Sequence, residues 1–186
     1  MGRKSLAEER TNQILDAYEQ CIIQHGLEGA TLQRTADHAN VNLGMIHHYI
    51  GRRDDLLQAM VTRLIERIQA EMDEFYRYTA EEDRLPELLV YFFESEEDQD
   101  DRVVEALYVS GGDHPAVQTA LSRINGLFQS IWAQEINRLH PAQTDQRCNE
   151  IALAVLALAY SSEILTDSSM RPDMWRTAAE TLINNP

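Results

Sequence analysis

Only two cysteines, Cys21 and Cys148, occur in 186 residues. No disulfide framework can be built on that count, and each lies on an apolar stripe of helical spacing, so buried free thiols are expected. Positive charge is also scarce: 16 Lys and Arg stand against 31 Asp and Glu, for a net charge of −15. A chain that met polyanions over its whole surface would carry the opposite balance. Long apolar runs are missing. The stretch Ile151 to Tyr160 is too short to cross a bilayer, and the opening MGRKSLAEER has no apolar signal region, so a cytoplasmic protein with no membrane partner is expected. No alternating strand pattern, internal repeat or low-complexity segment is present, which leaves an all-α fold. GxSxG, P-loop, GxGxxG and HExxH are all absent. His47 and His48 are adjacent and about a quarter-turn apart on a helix, so they cannot grip one metal from one face. His25, His38, His114 and His140 are scattered at helix ends or turns. Neither an enzyme nor a catalytic residue, metal or cofactor is expected.

What is present centres on Thr31 to Leu57, TLQRTADHANVNLGMIHHYIGRRDDLL. It reads as two short helices around a tight turn, followed at once by a third. Thr31 can cap the first, its hydroxyl accepting a backbone N–H that a helix start leaves unpaired. Asn40 stands where the chain needs a left-handed conformation, Asn42 caps the second helix, and Gly44 falls in its first turn. Small Ala36 lets the helices cross closely, and Ile46 fills the angle between them. This is the spacing of a helix-turn-helix. His47, His48, Tyr49, Arg52 and Arg53 then supply aromatic and cationic donors at the end of the second helix.

The run Ala39-Asn40-Val41-Asn42-Leu43-Gly44-Met45-Ile46-His47-His48-Tyr49-Ile50, with Arg53 and Leu56 following, resembles the DNA-binding motif of the TetR family of transcriptional regulators. That motif usually reads Ala-Gly-Val-Ser-x-Gly-x-Leu-Tyr-x-Tyr-Phe, then a Lys and a Leu. Here Asn40 stands for the Gly, Asn42 for the Ser, His47 for the first Tyr, Ile50 for the Phe and Arg53 for the Lys. The exchanges at positions 40, 42 and 53 keep the turn, the cap and the positive charge. The resemblance implies that Leu43 to Tyr49 lies in the major groove, with Leu43, Met45 and His48 nearest the base edges. It implies phosphate contacts from Thr31, Arg34, Asn42, His47, Tyr49 and Arg53, with Arg52 also in reach and Gly44 allowing close backbone approach. A homodimer would then read a palindromic double-stranded operator whose half-sites lie about 34 Å apart.

The domain division expected is 1–53 for the head and 54–186 for a helical regulatory part. The acid is concentrated in the later part: the chain through Leu57 carries −2 and the remainder −13. An amphipathic helix from Glu8 to Gln24, stopped by Gly26, should complete a three-helix head. Further helices are expected from about Asp54 to Thr79, Leu85 to Ser95, Arg102 to Ser110 (ended by Gly111-Gly112), Pro115 to His140, Thr144 to Thr166 and Pro172 to Ile183. The acidic run Glu94 to Asp101 reads as a solvated loop. Phe92, Tyr108, Phe128, Trp132 and Tyr160 are candidates to line a cavity for a small-molecule effector, or equally to fill a core. The helix around Ile151 is apolar nearly all round and must be covered on every side. In the TetR family the last two helices form a four-helix dimer interface, which would take Ile151, Val155, Leu158, Trp175, Ala179 and Leu182; a buried central helix of a monomer is the alternative. The function expected is a repressor released by an effector; the rival is a helical interaction module that kept the fold without specific DNA binding.

Overall fold

A computed structural model describes residues 3–94, 98–110, 114–164 and 173–186. The helix stop at Gly111-Gly112, the middle of the acidic run, and the helix ends at Thr166 and Pro172 lie outside the described residues. Within them the chain is all α, with no strand. The helices are α1 (Arg3–Gly29), α2 (Leu32–His38), α3 (Leu43–Tyr49), α4 (Arg53–Tyr78), α5 (Arg84–Phe93), α6 (Gln99–Val109), α7 (Pro115–Leu139), α8 (Asp145–Ile164) and α9 (Asp173–Asn184). The chain divides into two compact units: residues 1–69 with 97–124, and residues 70–96 with 125–186.

In the first unit, α1 packs against α2 and α3 to form the three-helix head, and α6 packs on α1 as well. The helical spacing of Ile14, Tyr18, Cys21 and Ile22 puts all four on one face, and all are buried. Burial holds the Tyr18 phenol up, to about 12, and raises the Cys21 thiol. The helix begins earlier than Glu8, because the polar N-terminal segment continues the same turn. Gly26, at φ 68°, kinks it before a last short turn to Gly29. One carboxylate is fully buried here. Glu19, 1% exposed, accepts hydrogen bonds from Arg63 (2.7 Å) and Arg67 (3.1 and 3.2 Å) of α4 and from Gln99 Nε2 (2.8 Å) of α6. Arg67 also grips Asp100 of α6, and Arg63 reaches Asp16. Three helices of this unit therefore converge on one buried charge.

The acidic run needs a correction from Asp98 onward. Asp98 caps α6, its carboxylate accepting the N–H groups of Asp100 (2.7 Å) and Asp101 (3.0 Å), while Asp101 reaches back to the Asp98 N–H (3.0 Å). Carboxylates are favoured at a helix start, where unpaired N–H groups and the helix dipole attract them. What looked like a solvated charge run is thus partly a capping box.

In the second unit, α5, α8 and α9 pack on one another. Leu88 and Leu89 of α5, Ile131, Trp132 and Ile136 of α7, and Ile151, Ala152, Val155 and Leu156 of α8 are buried. Thr144 Oγ1 accepts the Arg147 N–H at 3.2 Å and so caps α8. Buried Glu135 is held by the Arg138 guanidinium one turn on. Cys148, like Cys21, is a buried free thiol.

Candidate nucleic-acid interface

The geometry of the motif follows from four local devices. Thr31 Oγ1 accepts the Arg34 N–H at 3.2 Å and starts α2. Asn40 takes φ 51°, and the Val41 N–H turns back to the Ala36 carbonyl at 2.9 Å. Asn42 Oδ1 then accepts the Met45 N–H at 3.0 Å and starts α3. Ala36 and Ile46 are fully buried where the two helices cross. At Gly44 a Cβ would lie 3.1 Å from the capping oxygen of Asn42.

Two supports were not foreseen from the sequence. Gln13 of α1 donates from Nε2 to the Ala39 carbonyl at 2.7 Å, tying the turn to the first helix. No local pattern marks that long-range contact. Gly51, at φ 127°, ends α3, and its missing side chain leaves room for the Asp55 carboxylate. Asp55 in turn accepts the Arg52 N–H at 2.8 Å and steadies the start of α4. An acid three residues after a helix boundary is the signal that could have revealed it.

Around this frame the expected contact residues differ in exposure. Thr31, Arg34, Asn42, Gly44, His47, His48 and Arg52 are exposed; Leu43, Met45, Tyr49 and Arg53 are half-buried. The His48 and Tyr49 rings meet edge to face at 4.9 Å. Arg34 donates to the Gly29 carbonyl, and Arg53 to the Leu27 carbonyl (2.9 Å) and Glu28 (3.2 Å). Each guanidinium has five N–H donors in all, so both can be anchored to the last turn of α1 and still donate outward. His47 is anchored too, its Nδ1 lying 2.9 Å from the Gly51 carbonyl.

The family model of bacterial regulatory proteins of the tetR family matches residues 14–60, the span that contains these devices. Residues 14–60 of this chain carry the TetR-family DNA-binding motif. The transcriptional regulator BetI of Paraburkholderia phymatum is 36% identical over 70 residues, which cover 38% of this chain and 36% of that relative. The chain thus matches about a third of the length of such curated relatives. Solved structures extend the likeness to the whole TetR fold. A TetR transcription regulator from Haloarcula marismortui superposes with a TM-score of 0.75 at 19% identity, covering 96% of this chain and 98% of that one. A transcriptional regulator from Saccharomonospora viridis, solved in complex with choline, gives 0.74 at 16% identity, covering 95% and 96%.

The second unit holds most of the aromatic candidates. Phe92 stands 5.4 Å from Phe128, edge to face, and 5.0 Å from Trp132. Tyr160 donates to Asn125 Oδ1 at 2.9 Å. Trp132 is fully buried, and its indole N–H has no acceptor among the described residues. Tyr108, half-buried on α6, belongs to the first unit. Of the six expected interface residues, Ile151, Val155 and Ala179 are covered by the chain's own packing; Leu158 and Trp175 are half-buried and Leu182 is exposed. Leu153 and Met174, at 57% and 50% exposure, are open apolar residues of α8 and α9 that the sequence reading left out. Among the described residues no cluster of three or more His, Cys, Asp or Glu is disposed to hold a metal, and no helix is long and apolar enough to cross a membrane.

Proposed function

We propose that this chain is a sequence-specific DNA-binding transcription regulator that acts as a homodimer on a palindromic operator. The observation that carries the reading is the pair of side-chain-capped helices hinged at left-handed Asn40, which leaves the polar end of α3 exposed inside the span that matches the family. Residues 1–53 would bind DNA, and 54–186 would bind an effector and dimerise. Leu43, Met45 and His48 read base edges; Thr31, Arg34, Asn42, His47, Tyr49, Arg52 and Arg53 hold phosphates. With no net positive charge in the head, two heads are needed for useful affinity, and binding falls steeply with salt.

The effector site is the aromatic cluster around Trp132. Its buried N–H lacks an acceptor among the described residues, which a ligand oxygen would supply, and Phe92 and Phe128 would add cation–π attraction for an organic cation. Choline in the S. viridis protein is a ligand of that chemistry. Occupancy acts as a release signal for a repressor if it favours one spacing of the two heads over another. Dimerisation runs through α8 and α9, where exposed Leu153, Met174 and Leu182 await cover.

The test is capture of fragmented genomic DNA on the purified protein at moderate salt, followed by sequencing. A recovered palindrome supports the reading. No enrichment over a folded Tyr49→Ala control refutes it and favours an interaction module.

A further inference from the structure

His47 differs from its neighbours in having one ring nitrogen already committed. Nδ1 lies 2.9 Å from the Gly51 carbonyl oxygen. A carbonyl can only accept, so Nδ1 must carry the proton, and in the neutral ring Nε2 is then a bare lone pair. Nε2 has no partner among the described residues, and the side chain is exposed. A lone pair cannot donate to a phosphate oxygen and is repelled by it. The imidazolium can donate from both nitrogens at once, to Gly51 and to a phosphate.

From this geometry we infer that His47 makes DNA binding proton-linked: the phosphate contact forms only when the ring is doubly protonated. The inference rests on the DNA-binding reading and deepens it. Gly51 is held in place by its own N–H to the Ile46 carbonyl (3.1 Å) and by the Asp55 carboxylate packed against it, so the acceptor that fixes the tautomer is itself fixed. The titratable and charged groups on α3 and on the elements beside it include His48 and Tyr49 on α3; Arg52, Arg53, Asp54 and Asp55 at the start of α4; Arg34, Asp37 and His38 on α2; and Arg10 and Glu28 on α1. His47 makes an ion pair with none of them. A phosphate raises the proton affinity of the ring. Proton binding and phosphate binding at His47 are therefore linked, and affinity falls as pH rises.

Phosphate contacts do not depend on sequence, so the probe is a fluorescein-labelled mixed-sequence duplex of about 30 base pairs at about 50 mM salt. Affinity is measured by anisotropy from pH 6 to 8 for the wild type, His47→Tyr and His47→Gln. The wild type should weaken by up to about tenfold per pH unit for each His47 engaged. Both variants should lose that increment, whatever slope His38 and His48 contribute. At pH 6 the wild type should also show a log–log salt dependence steeper by about one unit per His47 than at pH 8. Equal pH slopes in wild type and variants overturn the proton linkage and leave DNA binding standing. No duplex binding by any of the three, each confirmed folded, overturns the DNA reading and this inference with it.

Discussion

Replacing Glu19 with alanine should be among the most damaging single changes in the head-bearing unit. The Glu19 carboxylate is 1% exposed and accepts from Arg63, Arg67 and Gln99, so its removal strands donors from two other helices. Breaking a buried ion pair by deleting one partner costs about 3–5 kcal/mol. Two features lower that figure here. The Arg63 and Arg67 side chains keep 16% and 36% of their exposure, and each retains a second carboxylate, Asp16 at 2.7 Å and Asp100 at 2.5 Å. About 2–4 kcal/mol remains, which for a chain of this length lowers the melting temperature by roughly 4–16 °C. Asp16→Ala is the matched control. Its carboxylate is 70% exposed, so the same kind of change should cost at most about 1 kcal/mol. Glu19→Gln, which keeps an acceptor but no charge, should fall between the two. Thermal and urea unfolding by circular dichroism, at one protein concentration throughout, reads all three. If Glu19→Ala is no worse than Asp16→Ala, the convergence of α1, α4 and α6 on this charge carries no energy and the reasoning fails.

Two further outcomes follow from smaller features. Asn42→Ala removes the only side-chain cap of a seven-residue helix and should cost about 1 kcal/mol, with a larger loss of DNA affinity because the same side chain is assigned a phosphate; Asn42→Asp should restore the stability but not the affinity, since it adds negative charge. Urea midpoints and anisotropy separate the two effects, and equal affinity in all three proteins would remove Asn42 from the interface. Cys21 and Cys148 are buried, and burial raises the Cys21 thiol, so fewer thiolates are available at a given pH. Neither should react with a thiol reagent faster than the chain unfolds, and prompt modification of the native protein at neutral pH would contradict that burial.

The head was legible in the sequence because its geometry is written in residues that act within a few positions of themselves. Thr31 caps the N–H of residue 34, Asn42 that of residue 45, and Asn40 needs only its own left-handed conformation. What escaped was decided at longer range or by context. The Gln13 to Ala39 contact spans 26 positions and has no periodic signature. Asp98 and Asp101 carry the same charge as the run around them, and only the start of a helix tells a capping acid from a solvated one. The aromatic candidates could not be sorted by composition, since a buried indole reads alike whether its N–H is satisfied or waiting for a ligand. Trp132 lacks an acceptor among the described residues, whereas Tyr160 is already spent on Asn125. His47 shows the same limit from the other side. Its substitution for the usual Tyr was plain in the sequence, but the consequence depends on which ring nitrogen is occupied. That in turn depends on a carbonyl four residues on, delivered by a glycine at φ 127° that no other residue type adopts readily. A tyrosine there donates at any pH below its own ionisation, so the exchange keeps a hydrogen-bonding ring and changes the condition under which it can bind.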